Sequence, residues 1–407
     1  MSIQNILVLS LTLAIAACGG GGGSSSDQPR TSETSNPSTR IEPREVLAPP
    51  GYASAAGALR AFLLSDKHLP LSSENTDYLN STANIDLLEE SSALAFVATR
   101  DTNAEAAWDM GWTGRGVKVG HLDDFATKEI PSEVSGRNLS HGDATLSVTY
   151  QVSPEMTHAT RQLTFDCDVS SLQQHQQTQT GYQYFSDNGF HIVNNSFGIS
   201  RYYTAPCGGT PGLYSNTDWA SAIDSTLTDP VFLNMAGAIN DTTSYDENML
   251  FVFSAGNEGE FCRDGTGACN LQAAAILKLR ETEPTAGARV LYVGSLSDAS
   301  SVSEITGLPK ALAPYSHTAG DMKNDYIVAH DDIFYYQQGI GTSFAAPRVV
   351  GAAALVRQKF PTLNGANLKQ VLLQSADDLG APGVDEIFGH GQLNVINALS
   401  PIDGLSE

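Results

Sequence analysis

Residues 341–355 read Gly-Thr-Ser-Phe-Ala-Ala-Pro-Arg-Val-Val-Gly-Ala-Ala-Ala-Leu. The second half of this stretch is small and apolar, which predicts a helix that packs closely inside a core. Thr342 is predicted to cap the helix and Ser343 to lie in its first turn, where free N–H groups and the helix dipole favour an oxyanion. Pro347 cannot donate to the carbonyl of Ser343, and such a break is tolerated only near a helix start. Ser343 is therefore a candidate for chemistry.

Short apolar segments before that stretch have the pattern of buried strands. Leu250–Ser254 is a continuous apolar run, which is typical of a buried parallel strand. The other strand candidates are Val117–Leu122, His191–Ser196 and Val290–Gly294, and Thr217–Leu227 is predicted to be a helix. Strands that alternate with helices predict an α/β fold with a mostly parallel central sheet covered by helices on both faces. Polar residues at the carboxyl ends of such strands gather at one edge of the sheet, where α/β sites form.

The stretch 341–355 resembles the nucleophile motif of the subtilisin-like serine peptidases, and other segments are similar to further motifs of that family. These segments are Gly116–Asp123 (the aspartate strand), His141-Gly142 (the histidine helix), Asn195–Gly198 (a wall of the substrate cleft), Ser254–Gly259 (the oxyanion turn) and Gly389–Val395 (the closing segment). The resemblance covers about residues 104–400 and is strongest to the protease modules of bacterial autotransporters. It implies a subtilisin-like three-layer sandwich.

The same resemblance implies a serine endopeptidase with a triad of Asp123, His141 and Ser343. The Ser343 hydroxyl is a poor nucleophile at neutral pH, so His141 is expected to accept its proton and Asp123 to orient the imidazole. The side-chain amide of Asn257 and the backbone N–H of Ser343 are the expected oxyanion donors. A catalytically impaired fold used for binding, and a serine esterase, are the alternative functions.

A peptide substrate is expected to lie extended beside the segment that follows the second strand and to pair with its backbone. That segment consists of Ser196, Phe197 and Gly198. Phe197 is expected either to form a wall of the cleft or to belong to the core.

The aspartate motif departs from the family pattern. Asp123 is followed by Asp124-Phe125, where the family usually has a small residue and then glycine. Asp124 is therefore the alternative triad member.

The histidine motif departs as well, because Asp143 follows His141-Gly142 where the family usually has threonine or serine. The interval from Asp123 to His141 is only 18 positions, so a hairpin or loop that many members carry is expected to be trimmed. His158 competes for the role of base but lacks a following glycine. It and the remaining histidines are expected at the surface or in loops.

The cysteines after position 18 are even in number, which in an exported chain predicts two disulfides. They are Cys167, Cys207, Cys262 and Cys269. The short spacing of Cys262 and Cys269 favours that pair, which leaves Cys167 with Cys207. A zinc site is the rival interpretation, but there is no Cys-x-x-Cys motif. Asp241 and Asp331-Asp332 are isolated carboxylates outside any dense calcium loop, so neither a metal nor a cofactor is predicted.

The N-terminus has the pattern of a targeting segment. Residues 1–17 contain a short apolar run that suits a signal peptide, and Ile15-Ala16-Ala17-Cys18 resembles the lipobox of bacterial lipoproteins. An ordinary signal peptide is the alternative. Lipidation of Cys18 would anchor the chain in the bacterial envelope. By resemblance to lipoprotein sorting in Gram-negative bacteria, Gly19 after the cysteine implies the outer membrane.

The remaining boundaries follow from composition. Residues 18–50 are rich in Gly, Ser, Thr and Pro, which predicts a flexible linker. Residues 51–103 form an N-terminal extension of uncertain role, 104–400 the peptidase domain and 401–407 a tail.

The charge of the chain limits its partners. Among its 407 residues, 22 Lys and Arg stand against 45 Asp and Glu, for a net charge of −23. A nucleic-acid ligand is not expected, because neutralising phosphates requires a basic face. We expect a monomer whose partners are peptide substrates and, through Cys18, a membrane.

Overall fold

The computed structural model describes residues 102–131, 138–164, 171–198, 202–203, 212–213, 216–228, 245–259, 270–297, 311–331 and 341–400. All five cysteines lie outside these ranges, as do Asp241, Asp332, the predicted signal peptide, linker and tail, and residues 51–101 of the predicted extension. The predictions of lipidation, of disulfides and of domain boundaries before residue 102 therefore stay predictions. No helix in the described ranges is long and apolar enough to cross a membrane.

Helices and strands alternate along the described chain, as the sequence pattern predicts. The helices are α1 (Ala104–Asp109), α2 (His141–Val152), α3 (Ser171–Asp187), α4 (Asn216–Thr226), α5 (Leu271–Leu279), α6 (Thr342–Lys359), α7 (Gly365–Gln374) and α8 (Val395–Leu399), with a 3₁₀ helix at Gly320–Asp325. The strands are β1 (Lys118–Asp123), β2 (Lys128–Pro131), β3 (Asn138–Ser140), β4 (Thr157–Gln162), β5 (Ile192–Asn195), β6 (Tyr202–Tyr203), β7 (Gly212–Leu213), β8 (Leu250–Ser254), β9 (Val290–Ser297), β10 (Ala311–Leu312) and β11 (Tyr326–His330).

The central sheet has seven strands in the order β10-β9-β8-β5-β1-β4, and β11 also pairs with β9. All neighbours are parallel except β10 and β9. The four strands and the helix predicted from the sequence are confirmed as β1, β5, β8, β9 and α4, whereas β4 and β11 were not predicted. The carboxyl ends of β1, β5 and β8 lie at one edge because these strands are parallel and adjacent.

Each face of the sheet is covered by helices. On β8, Leu250 and Val252 pack into one hydrophobic cluster with α1, α2, α6, α7 and α8, whereas Phe251 and Phe253 pack into another with α3 and α5. This alternation follows from the two-residue period of a strand, since both faces of a central strand must be buried. The molecule is therefore an α/β three-layer sandwich, as expected.

Helix α6 is the central helix of the first layer and is buried along nearly its whole length. Gly351 permits the close approach of α2, since a Cβ at that position would lie 2.6 Å from the Cβ of Val152. The prediction that Thr342 caps this helix is wrong. Gly341 is the N-cap and offers no side-chain cap, and the Thr342 hydroxyl is bonded to another segment.

The short interval between Asp123 and His141 nevertheless carries a hairpin. Strands β2 and β3 pair in antiparallel fashion within it, and β3 leads directly into α2. This short ribbon delivers the start of α2 to the end of β1. The expectation that a hairpin or loop carried by many similar proteins is trimmed here stays a prediction.

Candidate active site

The carboxyl end of β1 brings Asp123 against His141, the first residue of α2. The distance from Asp123 Oδ1 to His141 Nδ1 is 2.7 Å. The Thr145 hydroxyl donates to the other carboxylate oxygen of Asp123 at 3.1 Å, and the Asp123 side chain is buried. A carboxylate that binds one ring nitrogen fixes the orientation of the imidazole and leaves Nε2 for proton transfer.

The start of α2 is held by a capping box, which explains why Asp143 stands in the histidine motif. The Ser140 hydroxyl accepts the Asp143 N–H at 3.0 Å, and the Asp143 carboxylate accepts the Ser140 N–H at 3.2 Å. Asp143 also forms an ion pair with Lys128 on β2. An acidic residue at the third helical position satisfies a free N–H group and interacts favourably with the helix dipole, so this departure serves the helix that carries His141.

The residue after His141 must be small because it lies against Phe125, which belongs to the departure in the aspartate motif. A Cβ on Gly142 would lie 2.6 Å from the Phe125 ring. The Gly142 N–H also donates to the Asp124 carbonyl at 2.8 Å. Phe125 therefore packs directly against the start of α2.

Asp124 has surroundings unlike those of Asp123. Its Oδ1 accepts the N–H groups of Ala126 at 2.8 Å and Thr127 at 3.1 Å, and the Gln162 side-chain amide at 2.9 Å. Burial alone would raise the pKa of Asp124, but the hydrogen bonds from Thr127, Gln162 and Ala126 outweigh it and lower that pKa. Asp124 is thus an ionised group that fixes the turn after β1.

The two carboxylates together tune His141. Burial would lower the pKa of His141, but the charge and hydrogen bond of Asp123, and then the charge of Asp124, raise it above the usual histidine value. The arrangement therefore stabilises the imidazolium form of His141 beyond what water would.

Ser343 lies in the first turn of α6, as predicted, and is linked to Ser196 at the end of β5. Because Pro347 lacks an N–H, the Ser343 carbonyl is free of a helical bond, and it accepts the Ser196 hydroxyl at 2.8 Å. The Ser343 hydroxyl donates to the Ser196 carbonyl at 3.2 Å and makes no hydrogen bond to His141. The neighbouring Phe344 ring lies 5.8 Å from the His141 ring, centroid to centroid, so α6 begins beside α2.

Asn257, in the turn after β8, is bonded to the residue that precedes Ser343. Its Oδ1 accepts the Thr342 N–H at 2.8 Å and the Thr342 hydroxyl at 2.9 Å. This assigns the amide orientation and leaves the Nδ2 group of Asn257 as a donor. Within the described ranges the Ser343 N–H has no protein acceptor, so two N–H donors, this one and Asn257 Nδ2, lie near the start of α6.

The predicted substrate segment follows β5. Phe197 is half-buried, and its ring meets the ring of Phe253 edge to face at 6.2 Å, so it contributes to the second hydrophobic cluster. Gly198 is exposed, and a Cβ there would lie 2.7 Å from the Asn270 side chain. Ser196 is buried by its link to Ser343.

The competing histidine lies elsewhere. His158 is buried on β4, with its Nδ1 2.5 Å from the Tyr150 hydroxyl. His121, two residues before Asp123, is fully buried, and neither of its ring nitrogens has a hydrogen-bond partner among the described residues. The expectation that these histidines occupy the surface or loops is wrong, and it is also wrong for His330, which is buried at the end of β11. His317 is buried as well but lies in a loop, as expected.

Sequence reasoning missed two hydroxyl groups that support the site. Thr145 lies four residues after His141, a spacing that places both on one side of a helix, so a signal for it was available. Thr342 was interpreted as a cap, because nothing local indicates that its hydroxyl reaches Asn257. No group of three or more His, Cys, Asp or Glu side chains suited to a metal ion occurs in the part of the chain that the structure describes.

Comparison with known proteins finds a matching family and similar solved structures. A family model described as the subtilase family matches residues 162–391. That match includes Ser196, Asn257 and Ser343, whereas Asp123 and His141 precede it. A solved structure titled as a lanthipeptide protease has a TM-score of 0.46 and 19% identity, and the alignment covers 75% of this chain and 93% of that chain.

Similar sequences include bacterial serine proteases. The Neisserial autotransporter lipoprotein NalP of Neisseria meningitidis serogroup B is 30% identical over 243 residues, 53% of this chain and 20% of NalP. An extracellular serine protease of Serratia marcescens is 23% identical over 354 residues, 73% of this chain and 33% of that protein. The chain therefore spans only a fifth to a third of the length of these relatives.

Proposed function

Because the chain belongs to the subtilase family of serine peptidases, we propose that it is a serine endopeptidase whose triad is Asp123, His141 and Ser343. The observation that carries the proposal is the 2.7 Å contact of Asp123 with His141, beside the helix start that holds Ser343. Asp124 is the poorer triad candidate, since its carboxylate is engaged by the turn after β1.

The first chemical step is an attack on the scissile carbonyl. The Ser343 hydroxyl breaks its hydrogen bond to the Ser196 carbonyl and turns toward His141. Its oxygen then attacks the carbonyl carbon of the scissile peptide bond while its proton passes to His141 Nε2. Asp123 stabilises the imidazolium that forms. His141 then protonates the leaving amine as the C–N bond breaks, and a water molecule hydrolyses the acyl-enzyme by the same route in reverse.

The carbonyl oxygen becomes negative in the tetrahedral intermediate. Asn257 Nδ2 and the Ser343 N–H are the proposed donors to it, and the two bonds from Thr342 to Asn257 Oδ1 keep the amide group in the required orientation. In a subtilisin, loss of one such donor costs about 10²–10³ in kcat.

The substrate is proposed to be an extended polypeptide that pairs with the backbone of Ser196, Phe197 and Gly198. Gly198 is exposed, which leaves room for a strand of substrate beside it. Phe197 supports this segment from below through its contact with Phe253.

We place the enzyme in the bacterial envelope, attached by a lipid on Cys18 with residues 18–50 as a tether. The sequence Ile15–Cys18 supports this placement, and one relative, NalP, is named an autotransporter lipoprotein. Residues 51–103 are an extension preceding the peptidase domain, for which no role is proposed.

The test is labelling with a fluorophosphonate probe together with a panel of protein and ester substrates. The wild-type protein should be labelled and should cleave a protein substrate, and Ser343→Ala should do neither. A labelled enzyme that cleaves only esters would support the esterase alternative, and a folded protein that is never labelled would support the impaired, binding-only alternative.

A further inference from the structure

A buried carboxylate, Asp331, lies immediately after β11 and contacts the start of α6. Its Oδ2 accepts the Gly341 N–H at 2.7 Å and also the Tyr315 hydroxyl. Asp331 is about 1% exposed, so its bonds are made out of contact with water. The local sequence around Asp331 does not indicate these partners, which are 10 and 16 positions away in the chain.

The Gly341 N–H is the first of three successive backbone N–H donors at the start of α6, the helix that carries Ser343. The Thr342 N–H goes to Asn257, and the Ser343 N–H has no protein acceptor within the described ranges. Asp331 and Asn257 thus occupy the two donors before Ser343 and leave its own N–H for a ligand. Gly341 has φ of 147°, so the chain turns sharply at the residue that Asp331 holds.

Tyr315 connects this turn to the other half of the oxyanion site. Its hydroxyl donates to Asp331, while its carbonyl accepts the Gly259 N–H at 2.7 Å. Gly259 closes the turn that carries Asn257. Tyr315 therefore contacts both turns, one through its side chain and one through its backbone.

We propose that Asp331 is a positioning residue of the peptidase site: with Tyr315 it sets the turn carrying Ser343 relative to the turn carrying Asn257. The inference rests on the proposed function, because it assigns both turns to the oxyanion site. Asp331 does not touch the substrate. It acts through the Gly341 backbone and so governs the distance between the two oxyanion donors.

The buried charge of Asp331 is stabilised from several elements. Burial raises the pKa of Asp331 above its ordinary value, and the hydrogen bonds from Tyr315 and the Gly341 N–H, with the positive charge of Arg348, offset this rise only in part. Loss of the Asp331 carboxylate alone would leave the Gly341 N–H and the Tyr315 hydroxyl without this acceptor, and leaving buried donors unsatisfied is costly, so Asp331 holds both groups in place.

The test compares Asp331→Asn with a matched buried acid, Asp325→Asn. Asp325 is buried and bonded to Lys369 and Arg280, and neither partner belongs to the proposed site. Both variants lose a buried negative charge, so both should lower the thermal midpoint, but only Asp331→Asn should alter catalysis. Tyr315→Phe, which removes one hydroxyl, provides a milder variant.

The measurement is kcat and KM with a peptide p-nitroanilide that the wild-type enzyme cleaves, at a temperature where every variant is folded. Asparagine can still accept the Gly341 N–H and the Tyr315 hydroxyl, but without the charge these bonds are about half as strong. The turn that carries Ser343 should therefore shift by a fraction of an ångström, and kcat should fall by about tenfold. Its KM should stay within about twofold, since substrate pairs with another segment. Tyr315→Phe should lower kcat in the same way but less, and the double variant should lose little more than Asp331→Asn.

Unchanged kcat in Asp331→Asn, or equal losses of kcat in Asp331→Asn and Asp325→Asn, would overturn the inference. If Asp331→Asn does not fold, unchanged kcat in Tyr315→Phe overturns it. Failure of the proposed function gives a different result, namely full cleavage by Ser343→Ala or no cleavage by wild-type protein.

Discussion

At the scale of single residues, two adjacent carboxylates differ in role because their neighbours differ. Asp123 faces the His141 ring and the Thr145 hydroxyl, whereas the Asp124 side chain turns back to bind the N–H groups of Ala126 and Thr127. Asp123 is the last residue of β1, whereas Asp124 lies in the turn that follows. The end of the strand therefore separates a proposed catalytic acid from a turn-forming acid.

The triad assignment predicts strong non-additivity. Ser343→Ala and His141→Ala should each abolish most peptide cleavage, and the double variant should lose little beyond either single change, because both residues act in one step. Asp123→Asn should be severe, with a loss of up to about 10⁴-fold in kcat, since it spoils the tautomer and charge but keeps nucleophile and base. Steady-state kinetics on purified protein checks this, and additive losses would contradict it.

Asp124→Asn serves as the control and carries its own prediction. The carbonyl oxygen of asparagine can still accept the three donors that hold Asp124, so the maximal rate should be retained. The charge of Asp124 helps to raise the pKa of His141, and removing that charge should lower this pKa. His141 accepts a proton only when neutral, so the acid limb of kcat/KM should move to lower pH. A limb that moves upward, or a maximal rate that collapses, would argue that the triad acid has been misassigned.

At the scale of elements, the starts of two helices position the proposed catalytic residues. His141 begins α2 and Ser343 lies in the first turn of α6, and both starts are fixed by specific polar contacts. Pro347 contributes to this arrangement because it has no N–H to donate to the Ser343 carbonyl, which instead accepts the Ser196 hydroxyl. Helix ends carry unsatisfied backbone groups, which makes them adjustable by side chains from other segments.

Ser140→Ala tests the start of α2. Loss of the N-cap should reduce the free energy of unfolding by about 1 kcal/mol and should also lower kcat/KM, since His141 is the first helical residue. Asn364→Ala is the matched control, because Asn364 caps α7 in the same way by accepting the Asn367 N–H but is not part of the site. Urea unfolding and peptide cleavage are measured on both, and an equal loss of activity in the two variants would refute a local effect.

At the scale of the whole molecule, the sheet buries ionisable groups that a surface would leave in water. His121 and His158 lie in the interior, and burial lowers the pKa of each from 6.5 to about 3. The folded state therefore holds them neutral, whereas the unfolded chain takes up a proton on each below its ordinary pKa. Their stabilising contribution is fully present above the ordinary histidine pKa and is lost as the pH falls.

The pH dependence of stability follows from this sign. For each buried histidine the free energy of unfolding should fall by about 1.4 kcal/mol per pH unit below the unfolded pKa, until the folded pKa is approached. His121→Asn removes one titrating group, so its free energy of unfolding should decline less steeply with acid than that of the wild type. Urea unfolding between the two pKa values gives both slopes, and identical slopes would show that His121 is not held neutral.

The attachment of the molecule is a prediction at the same scale. Cys18→Ser removes the proposed acceptor for a lipid, so the protein should move from the membrane fraction to the soluble fraction of the envelope or to the medium. Peptidase activity should be retained, because the domain 104–400 is unaltered. Fractionation followed by immunoblotting tests this, and complete retention in the membrane would exclude Cys18 as the sole anchor.

The sequence alone predicted the alternation of strands and helices, the layered α/β fold and the placement of Ser343 in the first turn of a buried helix. These features are local, since hydrophobic periodicity and the chemistry of a few adjacent residues encode them. The fold decided what depends on contacts between distant segments. It turned Asp124 away from His141, buried His158 against Tyr150 and assigned the Thr342 hydroxyl to Asn257 rather than to a helix cap. It also joined Asp331 to Gly341 and Tyr315. A hydrogen bond between residues far apart in the chain has no periodic signature, so only the packing of the layers reveals it.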